Sequence, residues 1–170
     1  YQMKLSQKGL LGQKRNFASL GTSLSSQLQK KRKIYALDLR NHGDNHHDWR
    51  NEMSYTHMCH DVLSFMNKKQ LTNVVLIGHS MGGKVAKSLA LSHPDRISGL
   101  VVLDIAPVKY TENDPAWKAV RGIIDSLNMV KIEEGMTKRN IDQSLRSLVE
   151  DPALRAFVLT NLEEDRKNQM

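Results

Sequence analysis

The stretch Asn73–Asp95, NVVLIGHSMGGKVAKSLALSHPD, decides how the chain is read. Its apolar run Val74–Ile77 has the composition of a strand buried on both faces. Gly83–Ser92 then places Val85, Leu89 and Ala90 on one face of a helix that must stop before Pro94. Two kinds of turn fit between them. Gly78-His79-Ser80-Met81-Gly82 matches G-x-S-x-G, a sharp strand-to-helix elbow that lifts a serine hydroxyl above a sheet. Gly78, Gly83 and Lys84 also match most of G-x-x-x-x-G-K-[ST], the loop that cradles a nucleotide's phosphates. Val101–Leu103 followed by Asp104 adds a second feature of that kind. The residue after Lys84 is Val85, however, and it has no oxygen to hold magnesium. The elbow is therefore the stronger reading and a nucleotide-binding loop the weaker one. In the elbow, Gly78 and Gly82 leave room for the tight turn. The Met81 N–H, at the start of the helix, points to where an oxyanion would form.

Two further apolar runs, Ile34–Leu39 and Leu100–Leu103, read as buried strands. Helices are predicted between them at 16–30 and over Thr56–Lys69, where Met58, Val62, Phe65 and Met66 share a face. Strand alternating with helix argues for a parallel sheet. Beyond Pro107 there is no strand-like run. Apolar residues instead recur at helical spacing: Val120, Ile123, Ile124 and Leu127; Ile141, Leu145 and Leu148; Leu154, Phe157, Val158 and Leu162. Asp151-Pro152 has the form of a helix start. The chain is expected to divide into an α/β core, 1–112, and a helical region, 113–170, packed over the sheet.

The 170 residues include one cysteine, Cys59, so no internal disulfide is possible, and a reducing compartment is expected. Cys59 falls in a helical stretch and reads as a small buried residue, not a reactive thiol. The net charge of +7 is concentrated at the start: residues 1–50 carry ten Lys/Arg and three Asp/Glu, and the remainder is balanced. Lys30-Lys31-Arg32-Lys33 reads as a solvated helix end and not as a nucleic-acid surface, because no aromatic residues interleave with the charges. No apolar run approaches the ~20 residues of a membrane helix. His46, His47, His57 and His60 lack the carboxylate or cysteine spacing of a metal site, so no metal is expected.

Several segments together resemble the alpha/beta-hydrolase superfamily: GLLGQKRNF at 9–17, YALDLRNHGDN at 35–45, MSYTHMCHDV at 53–62, VVLIGHSMGGKVA at 74–86 and LVVLDIAPVKY at 100–110. More narrowly they resemble the mitochondrial abhydrolase-domain-eleven subfamily and related small bacterial esterases. The resemblance implies a partial alpha/beta-hydrolase fold, a parallel sheet with flanking helices, plus a helical cap shaping an acyl pocket. It implies Ser80 as nucleophile of an ester or thioester hydrolase, with the Met81 and Leu10 N–H groups as oxyanion donors. Asp104 matches an acid position in the small esterases. Other hydrolases of this fold take the acid from a later strand, and a strand-end Asp bonding backbone N–H groups is the other reading. The resemblance further implies no cofactor, a small acyl substrate of lipid metabolism, and a mitochondrial location (otherwise cytoplasmic). A protein partner is left open.

The sequence departs from the family pattern at both ends. Lys8 stands where the family has His before Gly9. Tyr1–Gln7 is too polar for a central strand, so a hole in the sheet and marginal folding are expected. The general base of the family is a His after the last strand, yet all seven histidines lie between His42 and His93. The chain therefore reads as cut at both ends and lacking its base. A non-catalytic binding or stabilising protein is the alternative from another class. His79 is expected to project away from the serine. Recruitment of His42, His46 or His47 is the remaining route to a base.

Overall fold

The computed structural model describes residues 4–7, 11–133 and 135–162. The chain forms two compact units, Tyr1–Pro107 and Val108–Met170. The first holds a four-stranded sheet in the order β2-β1-β3-β4. The strands are β1 (Lys4–Gln7), β2 (Ile34–Leu37), β3 (Val74–His79) and β4 (Ile97–Leu103), and every pairing among them is parallel. Three helices connect them: α1 (Ala18–Gln27), α2 (Tyr55–Lys68) and α3 (Met81–Ser92). Strands joined through helices are the expected route to a parallel sheet.

The expected hole in the sheet is not there. Lys4–Gln7 forms β1, which pairs with both β2 and β3, placing Leu5 beside Tyr35 and Leu76 and Ser6 beside Ala36 and Ile77. Composition argued against this strand, but ladder bonds are made by the main chain. A four-residue segment without proline can make them whatever its side chains.

The core of this unit lies where α2 and α3 meet the sheet. Met58, Val62 and Met66 from α2 close over Val85, Ala86 and Leu89 from α3, with Val74 and Leu76 of β3 beneath. Cys59 is buried among them and its thiol donates to the Val85 carbonyl at 3.3 Å. Burial pushes the thiol pKa up, which keeps it neutral and unreactive. Ser54 caps α2 by accepting from the His57 N–H.

Helix α1 ends at Gln27, shorter than the predicted 16–30, and residues 14–17 form a separate 3-10 turn. The basic run Lys30–Lys33 therefore lies in the loop before β2 and not at a helix end, so the helix dipole does not account for it. Nothing within 4 Å would meet a Cβ added at Gly21, in the middle of α1. Gly21→Ala is expected to raise the urea midpoint, corresponding to about 0.5–1 kcal/mol, through helix propensity alone.

The second unit contains α4 (Pro115–Met129), α5 (Lys138–Leu145) and α6 (Pro152–Leu159). Thr137 caps α5 in a reciprocal capping box with Asn140. Asp151 caps α6 by accepting from the Ala153 N–H, and Pro152 occupies the first turn, as the sequence suggests. Ile141 and Leu145 of α5, Val149 of the segment that follows it and Val158 of α6 are buried. Among the described residues, no helix is long and apolar enough to cross a membrane.

Candidate active site

Strand β3 runs through His79 and α3 begins at Met81, so a single residue makes the turn. That residue, Ser80, has φ 52° and ψ −122°, in the left-handed half of backbone space that non-glycine residues avoid. The turn is held from both sides. The Ser80 N–H donates to the Leu103 carbonyl at 2.9 Å, and the Ser80 carbonyl accepts from Gly83 at 2.9 Å and Lys84 at 3.2 Å. A Cβ on Gly78 would lie 2.4 Å from the Gly82 carbonyl oxygen, and one on Gly83 would lie 2.6 Å from Ile105 Cγ2. The sequence pattern names Gly78 and Gly82. The geometry shows that Gly78 needs its missing side chain because the Gly82 backbone passes against it, and it adds Gly83. This one-residue turn is too short to wrap a phosphate, which removes the nucleotide-loop reading.

As the first residue of α3, Met81 has an N–H with no intrahelical carbonyl to bond. Leu10, expected to supply the second oxyanion donor, lies outside the described residues. The loop after β1 is described from Leu11, which has φ 60°. This loop is latched to the loop after β2. The buried Asp38 carboxylate accepts from the Lys14 N–H at 2.5 Å and the Asp44 N–H at 3.1 Å, and pairs with the Lys14 ammonium at 3.3 Å. Lys14 also pairs with Asp44, whose carboxyl is held below its ordinary pKa by that contact. Gly43, at φ +50°, presses against Asp38, where a Cβ would lie 2.3 Å from the carboxyl carbon. Neither Asp38 nor Gly43 is marked out by a motif in the sequence. The available signal was a buried-strand run ending in Asp, five residues before a Gly.

Asp104 follows β4 directly. It has φ 54°, its side chain is 84% exposed, and its Oδ2 is 3.5 Å from His79 Nε2. His79, set aside in the sequence, is thus the histidine brought to Asp104. The Ser80–Leu103 bond fixes their backbones side by side. His79 Nδ1 is buried and has no hydrogen-bond partner among the described residues.

Three of the other histidines are engaged elsewhere. His42 is buried and donates from Nδ1 to the Arg40 carbonyl at 2.8 Å, and His46 Nδ1 donates to the Gly43 carbonyl at 2.6 Å. His57 Nε2 pairs with Glu52 at 2.8 Å. Among the described residues, no group of three His, Cys, Asp or Glu is arranged to hold a metal.

A cleft of about 390 Å³ runs along β2, lined in part by Lys14, Asp38, Arg40, Arg50 and Asp61, and neither Ser80 nor Asp104 reaches it. Its charges largely satisfy one another. Arg40 forks onto Asp61 at 2.6 and 2.8 Å and also donates to the Glu52 and His57 carbonyls, tying the loop after β2 to α2. The cleft is thus braced by its own ion pairs.

Comparison with known proteins agrees with this geometry. A family described as the alpha/beta hydrolase fold matches residues 7–127. The chain is 37% identical over 161 residues to the Xenopus laevis sn-1-specific diacylglycerol lipase ABHD11, covering 92% of this chain and 49% of that protein. It is 37% identical over 163 residues to a Saccharomyces cerevisiae probable alcohol acetyltransferase, covering 92% of this chain and 45% of the other. Among solved structures, a marine microorganism esterase superposes with a TM-score of 0.90 at 34% identity, over 96% of this chain and 60% of that one. The chain spans about half the length of the curated relatives it matches.

Proposed function

Because the chain belongs to the alpha/beta-hydrolase fold family, we propose that it carries the nucleophile side of an acyl-transfer centre acting on esters or thioesters. In this reading Ser80 Oγ attacks the acyl carbonyl. The oxyanion rests on the Met81 N–H and, as the resemblance implies, on the Leu10 N–H. Asp104 is the acid that orients a general base. The acyl group passes to water or, as the acetyltransferase relative suggests, to an alcohol. A lipid-like acyl substrate and a mitochondrial location follow from the same resemblance.

The observation that carries this reading is the backbone of Ser80. A non-glycine residue held at φ 52° costs on the order of 1–3 kcal/mol, and such strain gathers where a side chain must be presented for chemistry. A serine hydroxyl is nevertheless a weak nucleophile without a base. All seven histidines lie between His42 and His93, and the family's base comes after the last strand. The 170 residues are therefore expected to hold the nucleophile and acid in an unpowered state.

Labelling by a fluorophosphonate probe tests this. The chain alone should label slowly, and added imidazole, standing in for the base, should accelerate labelling at least about tenfold. Ser80→Ala should abolish the accelerated reaction. Acceleration that survives Ser80→Ala, or no acceleration at all in a folded chain, would remove the acyl-transfer reading. Fast labelling without imidazole would instead name an internal base, and His79 is the first to replace. A second reading is a binding protein that keeps a hydrolase-like surface. It expects Ser80 to stay inert with imidazole present.

A further inference from the structure

We propose that the end of the sheet remote from Ser80 docks on an anionic lipid bilayer, through Lys30, Lys31 and Lys33 before β2 and Lys68 and Lys69 at the end of α2. Such docking does not depend on the acyl-transfer reading.

Every pairing in the sheet is parallel, so the strands begin at one end of it and the elbow stands at the other. The two ends carry charge differently. At the elbow end the cations of the loops are neutralised: Lys14 meets Asp38 and Asp44, Arg40 meets Asp61, and Arg50 meets Asp48. At the other end they are not. Lys30, Lys31 and Lys33 are exposed in the loop that enters β2, and Lys68 and Lys69 are exposed where α2 leads towards β3. Among the described residues, none of these lysines pairs with a carboxylate. Arg32 is half-buried, and its Nη1 has no hydrogen-bond partner among the described residues. The segments that enter β2, β3 and β4 hold a single acid, Asp95. The dipole of α2 favours cations at its end. The run before β2 has no such cause. A run of like charges without partners repels itself, and an anionic surface relieves that repulsion.

Three features select a bilayer. The charges straddle the sheet. Leu20 and Leu24 of α1 face Ile34, Ala36 and Ile77, whereas α2 and α3 pack on Val74 and Leu76 of the opposite face. Cations at the ends of both layers make a broad patch, which suits a plane better than a groove that tracks a phosphate chain. The exposed cations are all lysines, point charges suited to diffuse attraction and not the planar forks that grip bases and phosphates. No aromatic residue interleaves with them to stack a base. Leu91, the next-to-last residue of α3, is 84% exposed where that helix runs back to the same end. An apolar side chain beside lysines is what a headgroup layer accepts and a nucleic acid does not.

Co-sedimentation of the full chain with phosphatidylcholine vesicles tests this. With about 30% phosphatidylglycerol at about 0.1 M salt the chain should bind. Binding should fall at least about tenfold at about 1 M salt, where the screening length drops from about 10 to about 3 Å. Vesicles without the anionic lipid should bind none. Each lysine near a charged surface contributes about fivefold in partition. Lys31→Gln with Lys33→Gln, and separately Lys68→Gln with Lys69→Gln, should therefore each weaken binding about tenfold or more, with an unchanged circular dichroism spectrum. Arg15→Gln with Arg50→Gln removes the same charge at the elbow end and should change binding less than about twofold. Wild-type chain that ignores anionic vesicles, or binds neutral ones equally, overturns the proposal. A lysine pair without effect overturns its half of the surface. A control pair that matches the lysine pairs would make net charge responsible and not this end, and also overturns it. Tighter binding to a DNA duplex of about 20 base pairs than to the vesicles, in the same buffer, would assign the surface to nucleic acid instead. Should a double variant fail to fold, Lys31→Gln and Lys68→Gln alone should each cost about fivefold.

Discussion

Gly78→Ala should lower the stability of the first unit by about 3 kcal/mol or more and disable the elbow at the same time. The added methyl would lie 2.4 Å from the Gly82 oxygen and 2.7 Å from both the Gly82 carbonyl carbon and the Gly83 Cα. All three are backbone atoms, so no rotamer change relieves the contact. Strand β3 and the first turn of α3 would have to separate, and the bonds that close Ser80 onto Gly83, Lys84 and Leu103 would lengthen with them. Gly83→Ala should be milder, because its tightest contact is the end of the Ile105 side chain at 2.6 Å. Gly99→Ala is the control. Its nearest atom is Val75 Cγ2 at 3.4 Å, an ordinary contact, and the change should fall within about 0.5 kcal/mol. Urea unfolding of the three variants, followed by circular dichroism, gives the order. If Gly78→Ala matched Gly99→Ala, the close passage of strand and helix would be wrong.

Arg155→Ala should be the most damaging single change in the second unit, at about 2–4 kcal/mol. The Arg155 side chain is nearly buried, with Nε on Asp142 at 2.9 Å and Nη1 on the Val149 and Glu150 carbonyls at 2.8 Å each. These contacts pin the segment between α5 and α6. Asp142 is a quarter exposed and can be rehydrated when the arginine goes, but the carbonyl of buried Val149 loses its partner. Arg155→Lys should recover only part of the loss, since an ammonium cannot reach three acceptors as a planar fork does. Arg146→Ala should change little, because that arginine meets Asp142 in an exposed pair one helical turn apart.

The same contacts set a pH dependence. The Arg155 guanidinium, with help from Arg146, holds the Asp142 carboxyl below its ordinary pKa. A carboxylate depressed in the folded state stabilises fully above its unfolded pKa of about 3.9, and that contribution is lost as pH falls through the lower, folded value. The second unit of the wild-type chain should thus lose stability below about pH 4, and Arg155→Ala should flatten that slope. An equally steep acid slope in the variant would assign it to other carboxylates.

Much of this fold is legible in the residues because their local and global preferences agree. Val74–Ile77 reads as a buried strand and is one, and Asp151-Pro152 reads as a helix start and caps α6. Strand β1 is not legible. Three of its four side chains are polar, its hydrogen bonds belong to the main chain, and only the register against Ile34–Leu37 and Val75–Gly78 reveals them. Strand β4 begins at Ile97, three residues before the apolar run, because Ser98 and Gly99 interrupt the pattern that composition detects. In the candidate site, the serine elbow is carried by local sequence. The Asp38–Lys14 latch and the His79–Asp104 contact are not, since each joins residues about 24 positions apart through strand register.

The left-handed backbone at Ser80 has a consequence for how this chain can change over generations. Glycine would occupy φ 52° without steric penalty, so Ser80→Gly should leave the fold more stable by about 1 kcal/mol while removing the hydroxyl. On the proposed acyl-transfer reading, stability and chemistry therefore pull position 80 in opposite directions. A lineage with no further use for the hydroxyl has a downhill, single-residue path to lose it, and each generation that still carries serine there has not taken it.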